Sequence, residues 1–158
     1  DFTKRSQYLQ TFVDESEEEI PGLLQDLLNH PEDGRIKLYT LWRCLQVRNQ
    51  LPGLMSKGNY EPLSFAGEHA ENLFGFVRHY GNRSCMVVVP RFVTELVPAG
   101  KYPLGKEAWG DTVVQLPGQK DGSWFNHLTR EEVIDDGEIP VPSLLGRLPV
   151  TVVTGNPS

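Results

Sequence analysis

Leu73-Phe74-Gly75-Phe76-Val77-Arg78-His79-Tyr80-Gly81-Asn82-Arg83-Ser84-Cys85-Met86-Val87-Val88-Val89-Pro90 is the stretch that decides the class of this fold. Two runs of apolar, aromatic and β-branched residues flank a Gly-Asn pair, which accepts the positive φ angles of a tight hairpin turn. The unbroken apolar run 86–89 predicts a central strand with both faces covered. Working outward, short apolar runs broken by Gly, Pro, Asn and Asp predict further strands over 60–65, 111–115, 124–126 and 150–153. Residues 92–110, rich in Pro and Gly, predict a loop. A single helical turn over 143–148, capped by Ser143, is expected before the last strand.

Upstream of Leu51-Pro52-Gly53 the pattern is helical. Tyr8, Leu9, Phe12 and Val13 recur at helix spacing over 4–13. Leu23, Leu24, Leu27 and Leu28 make a second stripe behind the acidic run 15–19, whose charge suits the positive end of a helix dipole. His30-Pro31-Glu32-Asp33-Gly34 stops that helix, because Pro cannot continue it and Gly favours a turn. The third helix, 35–48, carries Leu38, Leu41, Trp42 and Leu45 on one face. Ile36, Tyr39, Cys44 and Val47 broaden it almost all round, so it needs partners on more than one side. The fold class expected is α+β: a helical segment over 1–50, then an antiparallel β-sandwich-like domain over 51–158.

Composition narrows the function classes. The chain has 158 residues, 39% hydrophobic and 23% charged, enough apolar content for a packed domain. Its net charge of −6 and the absence of any Lys/Arg-rich block argue against nucleic-acid or anionic-membrane partners. No apolar run has the roughly 18 residues needed to cross a bilayer, and no signal peptide is visible. Cys44 and Cys85 have no metal-ligand spacing around them and read as buried thiols, which fits a cytoplasmic setting. The chain begins at Asp1 rather than Met, as a piece of a longer polypeptide would.

Catalytic patterns are sparse. No serine sits in a Gly-x-Ser-x-Gly elbow, and the four histidines are scattered without metal-ligand pairs. Cys85 lies six positions after His79, a spacing read more simply as a buried thiol beside a strand histidine. The carboxylate pairs Glu107 with Asp111 and Asp135 with Asp136 sit in turn-rich stretches that read as solvated surface. No phosphate-binding glycine loop occurs. Trp42 belongs to the third helix. Trp109 and Trp124 lie at loop–strand junctions, where an aromatic ring either starts a core strand or stacks on a sugar. These two are the candidate sugar-contact residues; no catalytic residue, metal ligand or cofactor site is assigned.

The run Asp33-Gly34-Arg35-Ile36-Lys37-Leu38-Tyr39-Thr40-Leu41-Trp42-Arg43 resembles a stretch near the C-terminus of maltooligosyltrehalose synthases. Gly58-Asn59-Tyr60-Glu61-Pro62-Leu63, Phe76-Val77-Arg78-His79-Tyr80-Gly81, Val87-Val88-Val89-Pro90-Arg91, Pro103-Leu104-Gly105, Trp109-Gly110-Asp111-Thr112, Leu128-Thr129 and Leu148-Pro149-Val150 follow in the family's order. Asp1-Phe2 resembles the close of its last barrel strand. The resemblance implies a parent enzyme of the α-amylase family with a (β/α)₈ barrel, whose last helices lie in 1–50. That parent converts the reducing-end α-1,4 linkage of a maltooligosaccharide to α,α-1,1 by a retaining intramolecular transglycosylation. Its Asp nucleophile and Glu acid/base lie upstream of Asp1, so none of them maps here. The expected partners are the barrel of the same polypeptide and the parent's maltooligosaccharide. Self-association of the isolated chain through an uncovered helix face is also expected. The alternative is a stand-alone carbohydrate-binding or protein-interaction β-module.

Overall fold

The computed structural model describes residues 2–116 and 122–155; Asp1, part of the barrel-strand resemblance, lies outside them. Four helices come first: α1 (Phe2–Asp14), α2 (Ile20–Asn29), α3 (Arg35–Gln50) and α4 (Pro52–Lys57). The helical region therefore runs past Gln50, because Pro52 opens a fourth helix where its missing N–H is harmless. The acidic run before α2 behaves differently from the dipole expectation. Glu19 turns back, and its Oε2 accepts from the Ser16 N–H at 2.9 Å and the Ser16 hydroxyl at 2.6 Å.

Among the described residues nine strands follow: β1 (Glu61–Pro62), β2 (Ser64–Ala66), β3 (Leu73–Tyr80), β4 (Arg83–Pro90), β5 (Val113–Gln115), β6 (Gly122–Asn126), β7 (Glu131–Asp135), β8 (Ile139–Pro140) and β9 (Thr151–Gly155). They form a six-stranded antiparallel sheet, ordered β1-β3-β4-β9-β6-β7, and a three-stranded sheet, β2-β5-β8. The hairpin β3–β4 forms as its sequence predicts, with Tyr80 opposite Arg83 and Gly81 at φ 61°. The strand expected over 60–65 is instead two strands. Its chain breaks at Leu63, and β1 pairs with β3 in one sheet while β2 pairs with β5 in the other.

Strands β7 and β8 and the short helix α5 (Gly105–Trp109) went unforeseen. Glu131-Glu132-Val133-Ile134-Asp135 buries only Val133 and Asp135, so its apolar alternation is nearly silent. The helical turn near the end, α6, covers Val141–Leu144, with Pro142 in its first turn. Ser143 does not cap it but donates to the Pro140 carbonyl at 2.6 Å.

Strand alternation divides the six-stranded sheet into two differently covered faces. Val77, Met86 and Val153 lie side by side across β3, β4 and β9, and all are fully buried. With Trp124 and Val133 they meet Leu63, Val114 and Ile139 of the smaller sheet and its surroundings in one core, together with Trp109, Leu144 and Leu145. On the opposite face, Cys85 and Val152 pack with Phe12, Leu24, Leu27, Tyr39 and Val47 of the helices in a second core. Arg78, Cys85, Thr154, Phe125 and Glu132 line up across the strands on this helical side.

An aromatic trio anchors the helical layer. Phe12 meets Tyr39 edge-on at 5.3 Å, and Trp42 lies 6.0 Å from Phe12 and 5.9 Å from Tyr39. Arg43 stacks over Trp42 at 4.4 Å and donates from Nε to the Tyr39 oxygen at 3.1 Å. Tyr39 in turn donates to the Leu128 carbonyl at 2.8 Å, tying α3 to the turn between β6 and β7. Both ends of this buried hydroxyl's hydrogen bonding are thus satisfied.

Candidate functional site

Trp109 and Trp124, the two candidate sugar-contact residues, are 0% and 1% exposed. Of the two readings open to each ring, burial favours core packing over sugar stacking. Trp109 closes α5 with its ring in the core between the sheets, and its Nε1–H donates to the Pro103 carbonyl at 2.9 Å. Trp124 lies on the inward face of β6, where its Nε1–H points to Asp135 Oδ2 at 3.4 Å. A buried indole needs an internal acceptor, and each has one.

The other sequence candidates also find structural partners. His79 faces Ser84 across the hairpin, with Nδ1 2.6 Å from its hydroxyl. Cys85, one residue on, points to the other face of the sheet and stands opposite Arg78. Ser84 is fully buried, so its hydroxyl is held against His79 rather than presented to solvent. Burial pushes the Cys85 thiol up to about 11, with Cys44 adding to the rise. Burial raises the Cys44 thiol as well. Neither is thereby prepared as a nucleophile.

Glu107 and Asp111 are exposed, as expected of solvated carboxylates. Asp135 is not: at 3% exposure it accepts from Trp124 and from the Gly137 backbone N–H at 3.0 Å. Among the described residues no group of three or more His, Cys, Asp or Glu side chains could hold a metal ion. None of the described helices is long and apolar enough to cross a membrane.

His127 sits against the helical layer, with Nε2 2.7 Å from the Thr154 hydroxyl and its ring edge-on to Phe125 at 5.2 Å. Burial, helped by the positive charges of Arg130 and Arg43, lowers its pKa to about 4. Arg130 itself holds a left-handed backbone, φ 64°, while its guanidinium stacks over Phe125 at 4.6 Å and pairs with Glu17 at 3.1 Å. These contacts join sheet to helices and need no ligand to explain them.

Among the described residues, two surfaces expose apolar side chains beside a groove. The first is on α3, where Leu41 and Leu45 are 54% and 44% exposed and Leu38 is half-buried beside them. Leu38 and Leu41 border a groove of about 480 Å³ between α1 and α3, with Tyr8 and Lys37 on its walls. The second is the β1–β3 edge of the six-stranded sheet. There Tyr60 stacks on Phe76 at 5.0 Å, and Phe74 is exposed beside a groove of about 310 Å³ that also has Arg91 and Glu71 in its wall. A polar trough of about 320 Å³ crosses the ends of β4, β9 and β6, lined by Arg83, Ser123 and Thr154 among others.

The aromatic edge was legible in principle. Alternation in β3 places Phe74, Phe76, Arg78 and Tyr80 on one face and Leu73, Gly75 and Val77 on the other.

A solved structure of maltooligosyltrehalose synthase from Arthrobacter ramosus matches the chain with a TM-score of 0.59 and 27% sequence identity, covering 86% of this chain. The chain spans 16% of the length of that protein. No family model matches the chain, and no curated protein matches it. The resemblance read from the ordered motifs is thus present in the structure as well: the chain is similar to part of a maltooligosyltrehalose synthase.

Proposed function

We propose that the chain is the non-catalytic C-terminal part of a maltooligosyltrehalose synthase of the α-amylase family, working in the cytoplasm in trehalose biosynthesis. The observation that carries this reading is the match across 86% of the chain to one such enzyme. In this reading α3 is the last helix of the parent's (β/α)₈ barrel, and the two sheets form its β-sandwich-like C-terminal domain. The barrel supplies the nucleophile and the acid/base that convert the reducing-end α-1,4 linkage of a maltooligosaccharide to α,α-1,1. This chain contributes support, covering one side of the barrel through α3.

The bare Leu38–Leu41–Leu45 stripe supports that assignment. Two exposed leucines at i and i+4 on a helix already packed on its other side suit a second protein layer. A stand-alone binding module would carry an aromatic platform but no raw helical face. The platform is present at the β1–β3 edge, while the bare leucines speak against independence.

Reconstitution tests the reading. A maltooligosyltrehalose synthase polypeptide truncated ahead of the matching region should regain conversion of maltopentaose when mixed with this chain. The chain alone should yield no maltooligosyltrehalose. Conversion by the chain alone would overturn the non-catalytic assignment.

A further inference from the structure

We infer that the β1–β3 edge, at Tyr60, Phe76 and Phe74 with Arg91 beside them, is a stacking surface for the pyranose rings of an α-1,4-glucan chain. Neither hydrophobic core includes these three aromatics. Tyr60 and Phe74 are 56% and 47% exposed, so part of each ring faces solvent, Tyr60 packing its other side on Phe76. Phe74 and Phe76 are two residues apart on one strand face, about 7 Å along the sheet. Tyr60 lies over Phe76 at 5.0 Å with 29° between the ring planes. The three side chains form a short aromatic strip rather than scattered exposure.

The polar groups around the strip suit a carbohydrate better than a protein partner. Arg91, 45% exposed, and Glu71, 98% exposed, stand 3.6 Å apart, and Arg91 borders the groove beside Phe74. Such a pair offers donors and acceptors to neighbouring hydroxyls, while a π face suits the apolar C–H face of a pyranose. Asn59 and Glu61, bonded at 2.6 Å, flank Tyr60. The exposed stripe of α3, by contrast, is aliphatic, the composition expected where another protein layer docks. The aromatic edge lacks leucine, isoleucine and valine at its exposed positions.

The strip is also preorganised. The Arg78 guanidinium donates to the carbonyls of Met55, Gly58 and Asn59 at 2.8, 2.7 and 3.2 Å, holding the segment that leads into Tyr60. Arg91 Nε donates to the Glu71 carbonyl at 2.8 Å, which fixes its guanidinium next to the groove. Little ordering is left to be done on binding. The choice of an α-1,4-glucan, rather than another sugar, rests on the proposed membership in a maltooligosaccharide-converting enzyme; the stacking geometry does not.

The test is titration of the intact chain with maltoheptaose by calorimetry, beside the variants Tyr60→Ala/Phe74→Ala and Leu41→Ser/Leu45→Ser. Both pairs are exposed, and circular dichroism checks that each variant keeps its fold. The chain should bind maltoheptaose, the aromatic variant should bind at least about tenfold more weakly, and the leucine variant should bind as the parent does. No binding, binding unchanged in the aromatic variant, or binding lost in the leucine variant overturns the strip. Reconstitution separates the two ideas. Restored maltopentaose conversion without maltoheptaose binding sinks the strip and leaves the synthase reading standing. Binding through the strip without reconstitution keeps the strip and sinks that reading.

Discussion

One face of the six-stranded sheet is closed by a second sheet and two short helices; the other is covered by a helical layer that is itself half bare. The difference lies in what each cover has left to pack. Trp109, Val114, Ile139, Val141 and Leu144 spend their apolar surface inward, and all are at most 1% exposed. Helix α3 buries Tyr39 and Val47 toward the sheet and leaves Leu41 and Leu45 outside. A sheet cover can finish a core because its side chains alternate in and out. A helix with apolar residues on several sides finishes only the side it faces.

Three perturbations test this contrast. Truncating the closed core should be the most damaging: Trp124→Ala leaves a large cavity and removes the indole donor to Asp135 Oδ2, while Oδ1 keeps the Gly137 N–H. It should cost about 3–5 kcal/mol, read as a drop in the urea midpoint. A loss below about 1 kcal/mol would mean that the core between the sheets is not closed.

The helix-covered face differs in carrying a titrating histidine. His127 has a folded pKa of about 4, below the ordinary value of 6.5. The unfolded chain therefore takes up its proton first, and stability falls as pH drops from about 6.5 to about 4, levelling below. The groups facing it are Arg130, Arg43, Thr154 and Phe125. The loss should be about 1–3 kcal/mol. Urea midpoints across that window should slope in the parent protein and flatten in His127→Gln; equal slopes would assign the pH dependence elsewhere.

The smallest stability effect is expected on the bare face. Leu41→Ser with Leu45→Ser should change the isolated chain by about 0.5 kcal/mol or less, yet abolish reconstitution with the truncated synthase. The same variant should also reduce self-association seen by sedimentation, if copies meet through that face at high concentration. A large stability loss would show these leucines to be packed, not bare.

Much of this architecture was legible in residue order. The hairpin at Gly81-Asn82 and the helices at Phe2–Asp14, Ile20–Asn29 and Arg35–Gln50 follow from period and turn chemistry. Strand β7 was not legible, because Glu131, Glu132 and Ile134 break the alternation that marks a half-buried strand. Nor was the split at Leu63, since consecutive residues give no sign that a chain is leaving one sheet for another.

The sequence by itself determined the first three helices, the β3–β4 hairpin, the lack of familiar catalytic and metal motifs in its residue order, and the ordered resemblance to one enzyme family. These rest on spacing and local conformation, which a chain carries with it. Only the tertiary structure decided which aromatics are core and which are surface. Trp109 and Trp124 vanish between two sheets, while Tyr60 and Phe74 stay half-exposed at a sheet edge. Alternation separates the two faces of a strand, but burial depends on what packs over each face, and that is set by residues distant in sequence.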